Sequence, residues 1–300
     1  MKRKKKILLE TAIILALSAG YAHAGINPGV HDEFQKVENE GNEAIISESG
    51  EYTFTNGAEL TSDYNAKSKL GTISPSANGE LTINIGNNYN KSDFKIISDS
   101  SEYESGWNPR NSAGIKLNSG SSVTINVQNA NIELNGSCYS SGIAMAKNSD
   151  FILIGDGKTD LKIAGDVMKG IDGRAATDSQ VSISGINNFS ISSTKELDTT
   201  QVGYGNINAI RGGSAAISIE SNNFTIGDEN SKIVQFASGI SSSSEDIFIK
   251  ANNNFKINSV ETGINMFTGG NIKVEADTIS INGMGADNQE DGYAVGQGIY

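Results

Sequence analysis

The chain has 300 residues, 37% of them hydrophobic, with 23 basic against 35 acidic side chains and a formal net charge of −12. That balance argues against nucleic acid or anionic lipid as a partner, since both are held by cationic patches. A single cysteine, Cys138, excludes an internal disulfide, and two histidines, His23 and His31, leave no basis for a His-rich metal centre.

Residues 1–24 read as an export signal. Lys2, Arg3, Lys4, Lys5 and Lys6 precede an apolar run from Ile7 to Ala19, broken only by Glu10 and Thr11, and Ala22-His23-Ala24 follows. Basic head, short apolar middle and A-x-A exit predict cleavage after Ala24 to leave Gly25 as the mature N-terminus. The run is short for a membrane anchor. Cleavage removes five basic residues and one acidic residue, leaving 18 against 34, a net of −16.

Residues 25–79, with Pro28 and Pro75, show only a blurred pattern and are expected to form a linker and an irregular N-terminal cap. Tyr52 and Phe54 look like a strand, and His31 falls in the presumed linker. Stacking is expected to begin near Glu80, where Leu81, Ile83 and Ile85 alternate and Gly86-Asn87-Asn88 follows.

Beyond this point the sequence repeats itself. Blocks open at Gly114-Ile115, Gly142-Ile143, Gly170-Ile171, Ala209-Ile210, Gly239-Ile240, Gly263-Ile264 and Gly298-Ile299, 24 to 39 residues apart. Inside each block, pairs of apolar residues spaced by two precede and follow an Asn-rich joint: Val181 and Ile183 before Phe189 and Ile191, Ile217 and Ile219 before Phe224 and Ile226, Ile247 and Ile249 before Phe255 and Ile257. Period two puts both members of a pair on one side of a strand. Units of this size cannot bury such a face alone, so neighbours must cover it. The pattern predicts an all-β fold, a right-handed parallel β-helix or solenoid over 80–300 that continues beyond Tyr300. An antiparallel sandwich is the competing architecture, but it gives no reason for a fixed Gly-Ile opening or an Asn-Asn-Phe joint. The joint asparagines are expected to adopt left-handed angles and to stack into hydrogen-bonded ladders along the axis.

Catalytic signals are sparse. The residues just after each opening form one expected column, Lys116, Ala144, Asp172, Arg211, Ser241 and Asn265, with a single carboxylate. A glycosidase needs two carboxyl groups about 5 to 9.5 Å apart. Asp172 with Arg174 and Arg211 could hold an acidic sugar or form a surface ion pair. Asp156, Asp160 and Asp166 read as solvated corners, with Gly155-Asp156-Gly157 a turn. Corner insertions are the better binding candidates: Ser101 to Arg110 with Trp107, Thr194 to Asn208 with Tyr204, and Met284 to Gln297 with Tyr293. No cofactor or metal is expected.

Signal, Gly-, Ser- and Asn-rich coils and joints such as Asn222-Asn223-Phe224-Thr225-Ile226 together resemble the passenger region of bacterial autotransporters, the type V secretion proteins with a pectin-lyase-like β-helix. The resemblance covers roughly residues 80–300 and is one of architecture and composition. It implies an adhesin or structural rod at the cell surface or outer membrane of a Gram-negative-type bacterium, or one released outside it. Its implied partners are a host or bacterial surface protein or glycan and a translocator barrel encoded downstream. A secreted polysaccharide lyase or hydrolase on the same scaffold is the alternative.

Overall fold

The computed structural model describes residues 25–40, 44–64, 71–100, 113–194, 207–266, 269–283 and 297–299. It is a parallel β-helix of the expected right-handed class, and no helix occurs among the described residues. Every strand pairing is parallel and links one coil to the next, so each coil has three faces. Gly50–Phe54 pairs with Glu80–Gly86 on the first face, Ala58–Tyr64 with Ser92–Ser100 on the second, and Gly71–Ile73 with Ala113–Lys116 on the third.

The seven block openings fall into one column. Ile115, Ile143, Ile171, Ile210, Ile240, Ile264 and Ile299 are successive partners on the third face. The column starts two coils earlier than the repeat suggests, because Ile73 lies under Ile115 and Ile46 under Ile73. The described residues between 25 and 79 are therefore stacked coil rather than linker, which corrects the expected start near Glu80. The signal was blurred because Thr72, not glycine, precedes Ile73. Nine levels at about 4.8 Å each make a stack roughly 40 Å long.

The Gly-Ile opening has a steric cause. A Cβ on Gly170 would lie 2.5 Å from Ile191 Cγ2 and 2.7 Å from the Ala209 carbonyl oxygen. Gly142 meets Ile163 Cγ2 and the Gly170 oxygen at the same two distances. The second-face isoleucine one coil on thus occupies the space that a side chain would need.

Inside, the core is one continuous column of Ile, Val, Leu and Phe, nearly all under 2% exposed. Phe189, Phe224 and Phe255 stack with ring centroids 4.8 and 5.7 Å apart. At the N-terminal end the His31 ring lies on Phe54, 5.1 Å between centroids and 18° from parallel. His31 is thus part of the first coil, where it covers the end of the core. Tyr52 is also inside; its hydroxyl donates to the Glu48 carbonyl at 2.7 Å, and burial pushes its pKa up to about 12.

The joints form the expected ladders. Asn222 Nδ2 donates to Asn187 Oδ1 and Asn252 Nδ2 to Asn222 Oδ1, at 3.2 and 3.1 Å. Beside them Asn223 donates to Asn188 and Asn254 to Asn223, at 3.0 and 2.9 Å. Both ladders end on Asp160 Oδ1, which accepts from Asn187 and Asn188. Asn126 donates to Asn84 and Asn84 to Glu51, and Asn131 donates to Asp93. Each of these ladders points toward the N-terminus and finishes on a carboxylate, which only accepts. Left-handed angles, expected at the joint asparagines, occur in the first block's joint at Asn129 and otherwise outside the joints, at Asn78, Asn148, Asp178 and Ser259.

Outward positions on the second face alternate in charge. Lys36, Glu59, Lys95, Glu133 and Lys162 are successive register partners. Lys36 reaches Glu59 at 3.4 Å and Lys162 reaches Glu133 at 3.3 Å. A coil looped out of the stack would set like charges on adjacent levels, so the alternation favours the correct threading. Substituting Glu133→Lys places three cations on consecutive levels. It is expected to cost about 1 kcal/mol, and the loss should shrink in molar salt when followed by urea denaturation.

Candidate functional site

The column behind the openings is in register as expected: Lys116, Ala144, Asp172, Arg211, Ser241 and Asn265 are successive partners. Arg211 is therefore the neighbour of Asp172 one level on. The hydrogen bonds of Asp172, however, lie elsewhere. Its Oδ2 accepts from Lys169 Nζ at 2.5 Å and its Oδ1 from the Arg174 main-chain amide at 3.2 Å. Arg174 thus contributes through its backbone, while its side chain is exposed.

Lys169 is the residue that sequence reading missed. Its side chain is 1% exposed and that of Asp172 15%. It stands two positions before Ile171, in a column with Ser141 below and Asn208 above, each at most 5% exposed. A polar residue two before the opening isoleucine was a visible signal at every opening but the first, where Ala113 stands: Ser141, Lys169, Asn208, Ser238, Thr262 and Gln297 occupy that place. Ser141, Lys169, Asn208 and Ser238 form a buried polar seam at the entry to the third face, with Thr262 half-buried beyond them.

Chemically the cluster is better suited to holding charge than to transferring protons. Both oxygens of Asp172 already accept a hydrogen bond, and no other level of its column carries a second carboxylate for general acid-base work. Lys169 contacts this one acid, Arg174 follows two residues on, Arg211 lies one level on and Lys116 two levels before, so a protein of negative net charge has a cation-rich strip here. Each of these basic residues also has further polar or ionic interactions. Among the described residues no group of three or more His, Cys, Asp and Glu is placed to hold a metal ion.

Asp156 is a structural acid. Its Oδ1 accepts from Lys158 N at 2.9 Å and Thr159 Oγ1 at 3.1 Å, and its Oδ2 from Asn129 N on the preceding coil at 2.8 Å. Burial alone would raise its pKa, but these hydrogen bonds together outweigh burial and hold the carboxyl below its usual 3.8. A depressed folded pKa adds stability that is complete above roughly pH 5 and disappears as pH falls through the folded value. Asp156→Ala should therefore lower stability to urea at pH 7 and approach the parent as pH falls through the folded pKa of Asp156.

Trp107, Tyr204 and Tyr293 lie outside the described residues, as do Ala22 and Ala24 of the expected cleavage site; Gly25 is the first residue described. The segments 101–112, 195–206 and 284–296 that hold the three aromatics share one topological position. Each joins a second-face strand to a third-face strand, as do 41–43 and 65–70. From the second-face pair to the third-face isoleucine, the chain takes as little as Ile257 to Ile264 or as much as Ile191 to Ile210. By contrast, the first-to-second joint, counted from equivalent positions, stays between the spans of Ile219 to Phe224 and Ile83 to Phe94. In comparisons with known proteins, no family model, curated protein or solved structure matches the chain.

Proposed function

We propose that the chain is an exported, surface-displayed rod of the autotransporter-passenger kind, serving adhesion or surface structure. Binding to a host or bacterial surface protein or glycan takes place along the corner between the second and third faces. The observation that carries this reading is the confinement of large insertions to that one corner of an otherwise regular stack. A rigid scaffold with variable connections along one edge is how repeat proteins separate stability from recognition. The leader-like residues 1–24 and the acidic surface support passage out of the cell.

Expression of the complete gene in the source cells tests the proposal. Mass spectrometry should find Gly25 at the mature N-terminus, and external protease should cut the protein on intact cells. Retention inside the cell, or an uncleaved leader, overturns it. A polysaccharide-cleaving activity is the second reading, favoured by the cation-rich strip around Asp172. Release of reducing or unsaturated ends from uronate polymers, lost in Arg211→Ala, would replace the first reading with the second.

A further inference from the structure

Four Asn-x-Ser/Thr triplets lie among the described residues: Asn90-Lys91-Ser92, Asn135-Gly136-Ser137, Asn188-Phe189-Ser190 and Asn223-Phe224-Thr225. Triplets of this kind accept N-linked sugars where they lie in surface loops of exported chains. Three of the four are taken up by the fold. Asn188 donates to Asp160 and accepts from Asn223, and Asn223 accepts in turn from Asn254. Asn135 is half-buried within a strand, with its Oδ1 so close to the next coil that a Cβ added to Gly165 would come within 2.2 Å of it.

Asn90 differs. It lies in the joint from Ile83 to Phe94, the longest first-to-second joint among the described coils. That loop is anchored on both sides: Asn87 Nδ2 donates to the Thr55 carbonyl on the coil below, and Asn88 Oδ1 accepts from Gln128 on the coil above, each at 2.7 Å. Asn87 Oδ1 then accepts the main-chain amides of Tyr89 and Asn90 at 2.8 and 2.9 Å, a turn that leaves both side chains exposed. The Asn90 carboxamide itself is bonded to nothing among the described residues. Ser92, which completes the triplet, gives a second observation. It is 8% exposed and its Oγ has no partner, while the residue in register on the coil above is a fully buried alanine, Ala130. A buried hydroxyl left unpaired costs stability that alanine would not. Packing therefore gives no reason for serine here, whereas recognition of the triplet does. The hydroxyl can be reached only before the strand Ser92–Ser100 pairs with its neighbours, so recognition precedes closure of the coil.

We propose that Asn90 is a site of N-linked glycosylation. Asn90 Nδ2 bonds to the anomeric carbon of a glycosyl phosphate donor, nucleotide-linked or lipid-linked. The bond from that carbon to the phosphate oxygen breaks, the phosphate leaves with the electron pair, and the displaced amide proton passes to a base of the transferring enzyme. A sugar on Asn188 or Asn223 would remove ladder hydrogen bonds, whereas one on Asn90 takes nothing from the stack. The folded protein therefore carries it at Asn90. There the glycan projects a bulky hydrated group from the first-to-second corner, a different corner from the insertion-rich one. The modification is read from mass wherever the chain resides, so it does not depend on surface display.

Peptide mapping by mass spectrometry of the full chain purified from the source cells is the test. The peptide containing Asn90 should be heavier by sugar residues, a short chain for a nucleotide-linked donor and a preassembled block for a lipid-linked one. Peptides containing Asn135, Asn188 and Asn223 should have their plain masses. Ser92→Ala, folded as well as the parent by urea denaturation, should lose the added mass, and Ser92→Thr should keep it. A bare Asn90 in the parent, added mass that survives Ser92→Ala, or sugar on Asn188 or Asn223 of the folded protein each overturns the proposal.

Discussion

Phe224→Ala is expected to cost the stack about 3 to 5 kcal/mol, the usual loss for a large aromatic removed from a close-packed interior. Phe224 is fully buried, with Phe189 4.8 Å below and Phe255 5.7 Å above, both rings tilted for favourable contact. Each such aromatic pair adds about 0.5 to 1.5 kcal/mol beyond area burial. The hole would not close easily, because parallel hydrogen bonds fix the backbone spacing on both sides. Ile279→Ala is the control. Ile279 follows in the same column but is 51% exposed at the last described second-face level, and should lose less than about 1 kcal/mol. Urea denaturation of the two variants checks the pair. Equal losses would mean that the phenylalanines do not form one dry column. Because a solenoid couples each repeat mainly to its neighbours, hydrogen exchange should quicken most in the coils around Phe224 and little near Ile83.

How much of this was legible in the letters depended on whether a position was under a repeated constraint. The opening isoleucines were readable because several coils meet the same steric limit, a glycine such as Gly142, Gly170 or Gly239 whose Cβ space belongs to the next coil's isoleucine. The Asn-Asn-Phe joint was readable because its amides bond to copies of themselves. The first two coils were obscured once Thr72 replaced the glycine and Ile45-Ile46 stood in for an opening. The ladders' carboxylate ends were invisible from spacing alone, since Glu51, Asp93 and Asp160 acquire their role only when register sets an amide above each. The same holds for the charge column: Lys36, Glu59, Lys95, Glu133 and Lys162 are far apart in sequence, and only the coil register brings them side by side.

The candidate site shows the limit more sharply. Reading the column after each opening correctly paired the levels of Asp172 and Arg211, but side-chain length decided the ion pair. Lys169 reaches Asp172 from three residues before, within its own strand, where a register argument does not look. Corner length variation was visible as uneven block spacing. Its restriction to one corner emerged only once the three faces were assigned, and that restriction carries the functional proposal.

Removing only the acid from the buried pair should be far more damaging than removing both partners. In Asp172→Ala the Lys169 ammonium remains at a site 1% exposed without its 2.5 Å counter-ion. Breaking a buried pair in this way costs about 3 to 5 kcal/mol. The lower end, about 3 kcal/mol, is expected here, because Asp172 keeps some contact with solvent and Lys169 has a further interaction besides Asp172. The double variant Lys169→Met, Asp172→Ala removes the charge together with its partner and keeps most of the buried volume. Such replacements are often neutral, so its stability should lie within about 1 kcal/mol of the parent. The coupling between the two sites, measured by a double-mutant cycle in urea, is then about 2 kcal/mol or more. If the two single losses simply add, Lys169 is satisfied by the seam and Asp172 is free for another role. That result would move the cation-rich strip, with Asp172 at its centre, from structure toward ligand binding.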